Sequence, residues 1–363
     1  MTTTRSRSER FILHDSPGLP LSDNMSIVLW YSQAGRLKRQ KHEAIHGVER
    51  LRQSLPYGRG SLPLDLEVDD MQRLSPRTLG THPDPRDTIR RALRDPVDSH
   101  SIKSLISPGD SMTVIWDCQP GLANLEEIVP WVFQALGCQE LDTDVGFIVS
   151  STHGRSASQK AMSEISASSF SHDVVRHNPG NEARHVEIGV SPSIGNRILI
   201  DEMVVESDVV LSVSSVIQDS FTAATGGRMA ILPGVSHRQT IDRNRVQQGM
   251  DDVSPFAIGT ESCQDMAEAS QMVGLAFSVN IVYDCLGNIA SVKAGSPQKS
   301  WLKSVDDAKQ LALAEYTATS DVVFVGAGGN PFDLTLYDAV DSLFAASSVC
   351  RRNGVIVLVA ECA

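Results

Sequence analysis

The chain has no C-x-x-C pair, no apolar run near the roughly 18 residues that a membrane helix requires, and no internal repeat. Its six cysteines, Cys118, Cys138, Cys263, Cys285, Cys350 and Cys362, are scattered, and several fall inside apolar runs. They read as buried reduced thiols, and their spacing argues against zinc. G-x-x-x-x-G-K-[ST], G-x-S-x-G and H-E-x-x-H are also missing. A P-loop ATP site, an α/β-hydrolase nucleophile and zincin chemistry therefore have no support. The first ten residues are basic and polar without the apolar core of a secretory signal, and Ser26–Trp30 is too short to supply one, so a cytoplasmic location is expected.

At 363 residues the chain is long enough for two domains, and 41% hydrophobic with 21% charged residues is ordinary for a globular protein. The net charge of −12 is uneven. Residues 1–54 hold nine Lys/Arg against five Asp/Glu, which leaves 23 against 39 in the rest. An acidic main body repels nucleic-acid phosphates, so neither nucleic acid nor membrane is expected as a partner. Arg36–Lys41 reads as a solvated helix face.

Short apolar strands alternate with helical segments through most of the chain, which predicts an α/β fold with mostly parallel or mixed sheets. Strands are expected at 62–68, 113–117, 145–150, 209–213, 277–284, 321–325 and 355–359, with 289–292 as the hairpin partner of 277–284. Helices are expected from Asp84-Pro85 to about Leu93, then at 122–136, 158–165, 300–316 and 333–349, with another opened by His237 and running to Met250. Residues 1–54 read as an extension, partly disordered or forming one helix over Gln33–Leu51. Two α/β domains would follow, 55–265 and 266–363, divided in the polar stretch near 255–274.

Three loops follow strand ends, where open α/β sheets place ligands. They begin at Asp117, at Ser150-Ser151-Thr152-His153-Gly154, and at Asp219 ahead of Gly226-Gly227-Arg228. His153 sits among small polar residues, where an imidazole either transfers protons near neutral pH or satisfies loop backbone. Asp117 and Asp219 are each a ligand group, a base or a helix cap. Gly226-Gly227 and Gly328-Gly329 let backbone approach a ligand or take positive φ. His172, His177 and His185 show no ligand spacing and are expected mostly at the surface.

Taken in order, these pieces resemble the nickel-dependent lactate racemase family of the LarA type. Leu55-Pro-Tyr-Gly58 looks like the family's opening, and Arg91-Ala-Leu-Arg-Asp-Pro96 is similar to its helix with an Asn/Asp-Pro step. Ser151-Thr152-His153-Gly154 resembles its G-T-H-R loop. Gly226-Gly227-Arg228-Met229-Ala-Ile-Leu-Pro-Gly234 resembles G-G-R-K-x-x-L-P-G, and Gly328-Gly329-Asn-Pro-Phe-Asp333 resembles G-G-x-P-x-D. The resemblance spans about Leu55 to Glu361. It implies two α/β domains with a ligand cleft between them, racemisation of 2-hydroxy acids, and a nickel-pincer nucleotide that carries hydride.

The departures fall on the residues that the resemblance assigns to this chemistry. Met229 stands at the cofactor-anchoring lysine, and Arg245, after Asn244, at the nickel-ligand histidine. Of two acid/base histidines, one matches His153 and the other falls at Asp219. The substrate-gripping Asp-x-x-Arg reads Asp117-Cys-Gln-Pro120, and Tyr-Gln-x-x-Lys reads Tyr337-Asp338-Ala-Val-Asp341. A methionine forms no covalent link of the lysine kind, and an always-charged arginine cannot ligate nickel as a neutral imidazole does. A covalently anchored nickel-pincer is thus not expected, while a non-covalent nucleotide or a divalent metal stays open. The added carboxylates suit a cationic or metal-bound small molecule better than lactate. Gly226, Gly227, Arg228, Gly328 and Gly329 are the candidate cofactor-binding residues, and Asp338 and Asp341 the candidate substrate-binding ones. The expectation is a racemase or epimerase, diverged and nickel-independent, with His153 as acid/base and Asp117 or Asp219 as partner. The alternative is an inactive binding or regulatory protein using the same cleft.

Overall fold

The computed structural model describes residues 26–31, 49–68, 70–74, 84–117, 125–136, 144–152, 162–163, 165, 174–219, 222–251, 258–284, 287–312, 316, 318–330 and 332–363. The strands are β1 (Ser26–Tyr31), β2 (Glu49–Tyr57), β3 (Gly60–Val68), β4 (Asp70–Leu74), β5 (Ser111–Asp117), β6 (Asp144–Val149), β7 (Val174–Arg176), β8 (His185–Val190), β9 (Arg197–Asp201), β10 (Val209–Val216), β11 (Gln218–Asp219), β12 (Ala223–Ala224), β13 (Leu275–Tyr283), β14 (Ile289–Gly295), β15 (Ser320–Gly326) and β16 (Cys350–Val359). The main helices are α1 (Pro85–Arg94), α2 (Leu125–Leu136), α3 (Glu202–Val205), α4 (Arg238–Gln248), α5 (Glu261–Val273), α6 (Pro297–Ala312) and α7 (Leu336–Ser347). The chain divides into two compact units, one of residues 78–312 and one of residues 1–77 with 313–363.

The larger unit is built on a six-stranded sheet in the order β14-β13-β10-β5-β6-β7. Only the β13–β14 pair is antiparallel. Every residue of β10 is buried, as are six of the seven in β5, which is why these strands read as continuous apolar runs rather than alternating ones. The flanking helices start where the sequence provides caps. Asp84 accepts from the Asp87 amide ahead of Pro85, and Thr260 accepts from the Cys263 amide. α5 ends on Gly274 in the left-handed region, φ 74°, a position at which a Cβ would be strained. His237 opens α4, its ring accepting from the Gln239 amide.

This unit runs past the division at 255–274 that the sequence suggests. β13 continues the sheet as the parallel neighbour of β10, from Val210 beside Leu275 to Val216 beside Val282. The polar stretch there leads into α5 and back to the same sheet. The expected helix at 158–165 lies mostly outside the described residues.

The smaller unit has a four-stranded sheet in the order β16-β15-β1-β4, parallel throughout. Ser26–Tyr31, read as part of an extension, is an inner strand of this sheet, paired with β15 and β4. The helix expected over Gln33–Leu51 lies outside the described residues, apart from Glu49–Leu51, which belong to β2. The β2–β3 hairpin lays Leu55 and Leu64 against Val322, Phe324 and Val359. No helix among the described residues is long and apolar enough to cross a membrane.

Candidate functional site

Three parallel strands of the larger unit, β10, β5 and β6, end side by side. The last residue of β5 is Asp117, 1% exposed, and its Oδ1 accepts the Ser150 hydroxyl at 2.5 Å. Ser214 stands opposite Asp117 in the register of β10. The Ser214 and Thr152 hydroxyls and the Trp116 indole N–H are buried with no hydrogen-bond partner among the described residues. Buried polar groups are nearly always paired, so several orphans at the carboxyl edge of a parallel sheet mark a place suited to a polar ligand. His153 falls just beyond Thr152 and lies outside the described residues.

The chain leaving β10 forms the third loop. Asp219 is half-buried, and its Oδ1 accepts both the amide and the hydroxyl of Thr222 at 2.7 Å. Gly226 and Gly227 both have positive φ, 83° and 54°. The space that Gly227 leaves is filled by the protein itself, since a Cβ there would stand 2.7 Å from the Trp301 ring. The Gly227 amide donates to Asn280 Oδ1 at 3.1 Å. Arg228 lays its guanidinium 3.9 Å over Trp301 and donates to the Thr222 carbonyl at 3.0 Å. Met229 is 7% exposed and belongs to the apolar cluster that includes Ile115, Ile148, Ile231 and Leu232. Arg245 is exposed on α4. Its neighbour Asn244 is buried and donates to Asp265 Oδ2 at 2.8 Å. The end of this loop meets the second one, as the Ser151 amide donates to the Gly234 carbonyl at 3.0 Å.

In the smaller unit, the Gly328-Gly329 turn packs on the tip of the β2–β3 hairpin, where a Cβ on Gly329 would stand 3.0 Å from the Gly58 carbonyl oxygen. Asp333, fully buried, accepts the amides of Gly58 at 2.7 Å and Glu361 at 3.1 Å. The Leu55–Gly58 and Gly328–Asp333 motifs thus close on each other, a link that needed the fold to be seen. Asp338 is the N3 residue of a capping box on α7, with Oδ2 accepting the Thr335 amide and hydroxyl. Asp341 is half-buried one turn further on.

The histidines at 177 and 185 are not the scattered surface residues that the sequence suggests. His177, 3% exposed, follows β7, and its Nε2 lies 3.0 Å from Nε2 of His185. Buried Asp201, at the end of β9, pairs in register with His185, and one ligand atom from each of the three lies within 4.8 Å of the others. His177 Nδ1 meets the Ser151 hydroxyl at 2.9 Å, and His185 Nδ1 meets the Asn181 carbonyl at 2.7 Å. The His237 ring packs on His185 with centroids 5.0 Å apart. Burial, and then the neighbouring His185, Arg184 and His237, lower the His177 pKa to about 3. Burial also raises the Asp201 pKa against the opposing pull of Arg184. Sequence spacing could not show this group, because His185 meets Asp201 only through the β8–β9 register.

Comparison with known proteins places these features. The lactate racemase N-terminal domain model matches residues 57–253, and the lactate racemase C-terminal domain model matches residues 316–363. A lactate racemase of Thermoanaerobacterium thermosaccharolyticum is 24% identical over 323 residues, 85% of this chain and 74% of that protein. A lactate racemase of Lactiplantibacillus plantarum is 23% identical over 282 residues, 76% of this chain and 66% of that protein. The structure of the lactate racemase apoprotein from T. thermosaccharolyticum shares the fold, with a TM-score of 0.75 at 23% identity over 86% of this chain and 75% of that one. A crystal structure of a Thermotoga maritima protein has a TM-score of 0.53 at 15% identity, covering 70% of this chain and 66% of that one.

Proposed function

From the premise that this chain belongs to the lactate racemase family, we propose that it is an isomerase that inverts the configuration of a small polar substrate by proton transfer, without an anchored nickel cofactor. The observation that carries this reading is Met229, an apolar side chain packed in the core where the family resemblance places the anchoring lysine. The exposed guanidinium of Arg245 stands at the nickel-ligand position and cannot replace an imidazole. Neither residue fits a covalently held nickel-pincer nucleotide.

The chemistry then falls to groups of the larger unit. His153 removes or returns the proton on one face of the substrate carbon, and Asp219, at the position of the family's other acid/base histidine, serves the opposite face. The proton that one group takes is matched by the proton that the other gives, so the pair ends each turnover with its protons exchanged. Asp117, held by Ser150 and standing opposite Ser214 in the strand register, supports a role in gripping a cationic or hydroxyl group of the substrate. In the smaller unit, Asp338 is held by its capping box on α7.

A chiral assay on single enantiomers of 2-hydroxy and 2-amino acids tests the proposal, together with nickel analysis and an intact mass of the purified protein. Inversion of one substrate, by protein of unmodified mass and free of stoichiometric nickel, is the expected result. Ligand binding without any turnover would favour a binding protein instead.

A further inference from the structure

We propose that His177, His185 and Asp201 form a site for a divalent transition metal, beside but separate from the residues that the family resemblance assigns to its cofactor. The three ligands are carried on backbone already tied down within one unit. The His177 amide donates to the Val149 carbonyl at 3.0 Å, and the Asp201 amide to the Val235 carbonyl at 3.0 Å. His185 faces Asp201 across the β8–β9 pair.

The hydrogen bonds behind the rings leave the two Nε2 atoms facing each other at 3.0 Å. A carbonyl only accepts, so His185 Nδ1 must donate to Asn181, and its Nε2 then presents a lone pair. With no metal, His177 Nε2–H donates to that lone pair, and the Ser151 hydroxyl donates to His177 Nδ1. With metal bound, the single ring proton of His177 moves to Nδ1 and donates to Ser151 Oγ, whose own hydrogen turns to the Gly234 carbonyl 3.4 Å away. Both Nε2 lone pairs then face the ion, and no net proton is lost. The outer partners of a metal-bound histidine act in this way, fixing tautomer and ring orientation.

The spacing also fits. Two nitrogens bound tetrahedrally to zinc lie about 3.3 Å apart, and the Nε2 atoms lie 3.0 Å apart. Both side-chain hydrogen bonds of Asp201 among the described residues, from Arg184 Nη2 and the Met203 amide, go to Oδ1, which leaves Oδ2 for the ion. His237 keeps its Nδ1 on the Gln239 amide and acts as a wall against His185. Two imidazoles and one carboxylate select zinc or iron(II) over magnesium or calcium, and three protein ligands leave a position for water. The site joins the second loop through Ser151, two residues before His153 in the sequence.

The test uses the full chain, stripped with chelator and titrated with Zn²⁺ by calorimetry, followed by X-ray absorption on the zinc-loaded protein. One equivalent of zinc should bind, with an all-nitrogen and oxygen shell that includes two imidazoles. H185A and D201N should each weaken binding by at least about tenfold, while H100A, an exposed histidine elsewhere, should not. Absence of stoichiometric binding, sulfur in the metal shell, or unchanged affinity in H185A would overturn the proposal. If H185A fails to fold, the imidazole count in the wild-type absorption spectrum decides, and fewer than two refutes the site.

Discussion

A Cβ on Gly227 would stand 2.7 Å from the Trp301 ring, the same ring that carries the Arg228 guanidinium at 3.9 Å. Trp301 is 2% exposed, and its indole N–H donates to the Thr225 carbonyl at 2.9 Å. The Gly-Gly pair is therefore fitted to an internal wedge. G227A, which also meets a φ of 54°, should destabilise the protein by about 2 kcal/mol. Combining it with W301A should cost less than the sum of the two single changes, because W301A removes both ring atoms that stand at 2.7 Å. Denaturant unfolding of the four proteins checks this, and strict additivity would mean that the ring is not the obstacle.

Restoring the family's lysine should not restore its cofactor. Met229 packs in the core, with its sulfur 3.4 Å from the Thr222 hydroxyl. M229K would place an ammonium among Ile115, Ile231 and Leu232. The expected cost is about 3–5 kcal/mol, and the intact mass should remain that of the bare polypeptide. A variant as stable as the parent would show that the side chain at 229 reaches water.

The Ser150–Asp117 hydrogen bond should be strongly coupled. S150A leaves a buried carboxylate short of a donor and should cost about 1–3 kcal/mol. Its cost should shrink by about 1 kcal/mol or more when Asp117 is already asparagine, which carries no charge to stabilise. A double-mutant cycle reads the difference directly, and zero coupling would remove Asp117 and Ser150 as a unit.

His177 makes stability depend on pH. Its pKa in the folded protein is lowered from 6.5 to about 3, so between these values the unfolded chain binds the proton and the folded one does not. Its contribution is complete above pH 6.5 and is lost as pH falls toward about 3. In chelator-treated protein, H177Q should flatten the acid limb of the stability curve by up to about 1.4 kcal/mol per pH unit across that window. An unchanged slope would mean that His177 is protonated in the folded state.

Most of the alternating strands and helices were legible, because the buried strands are short apolar runs and helices such as the one opened by Asp84-Pro85 carry a cap or proline in the sequence; α5, despite its Thr260 cap, lies in the stretch that read as a domain boundary. β1 was not legible as a sheet member, since Ser26–Tyr31 pairs with a strand that begins at Ser320 and nothing local signals so distant a partner. The family motifs could be read in order, but not the closure of Gly58 on Asp333 or of Ser151 on Gly234, which depends on tertiary contact. The two glycine pairs pointed to close backbone approach. The approaching groups in the structure are Trp301 and Gly58 of the chain itself. The histidine cluster was hidden for the same reason as β1, since strand register rather than spacing assembles it.

Inversion of an enantiopure substrate in deuterium oxide tests the central claim most directly. A panel of single-enantiomer 2-hydroxy and 2-amino acids would be incubated with the protein, and the products separated by chirality and weighed. Proton transfer through His153 and Asp219 predicts that the inverted product carries one solvent deuterium on its second carbon and that H153A abolishes inversion. Inversion with the substrate's own hydrogen retained, or no inversion of any member of the panel, would contradict it.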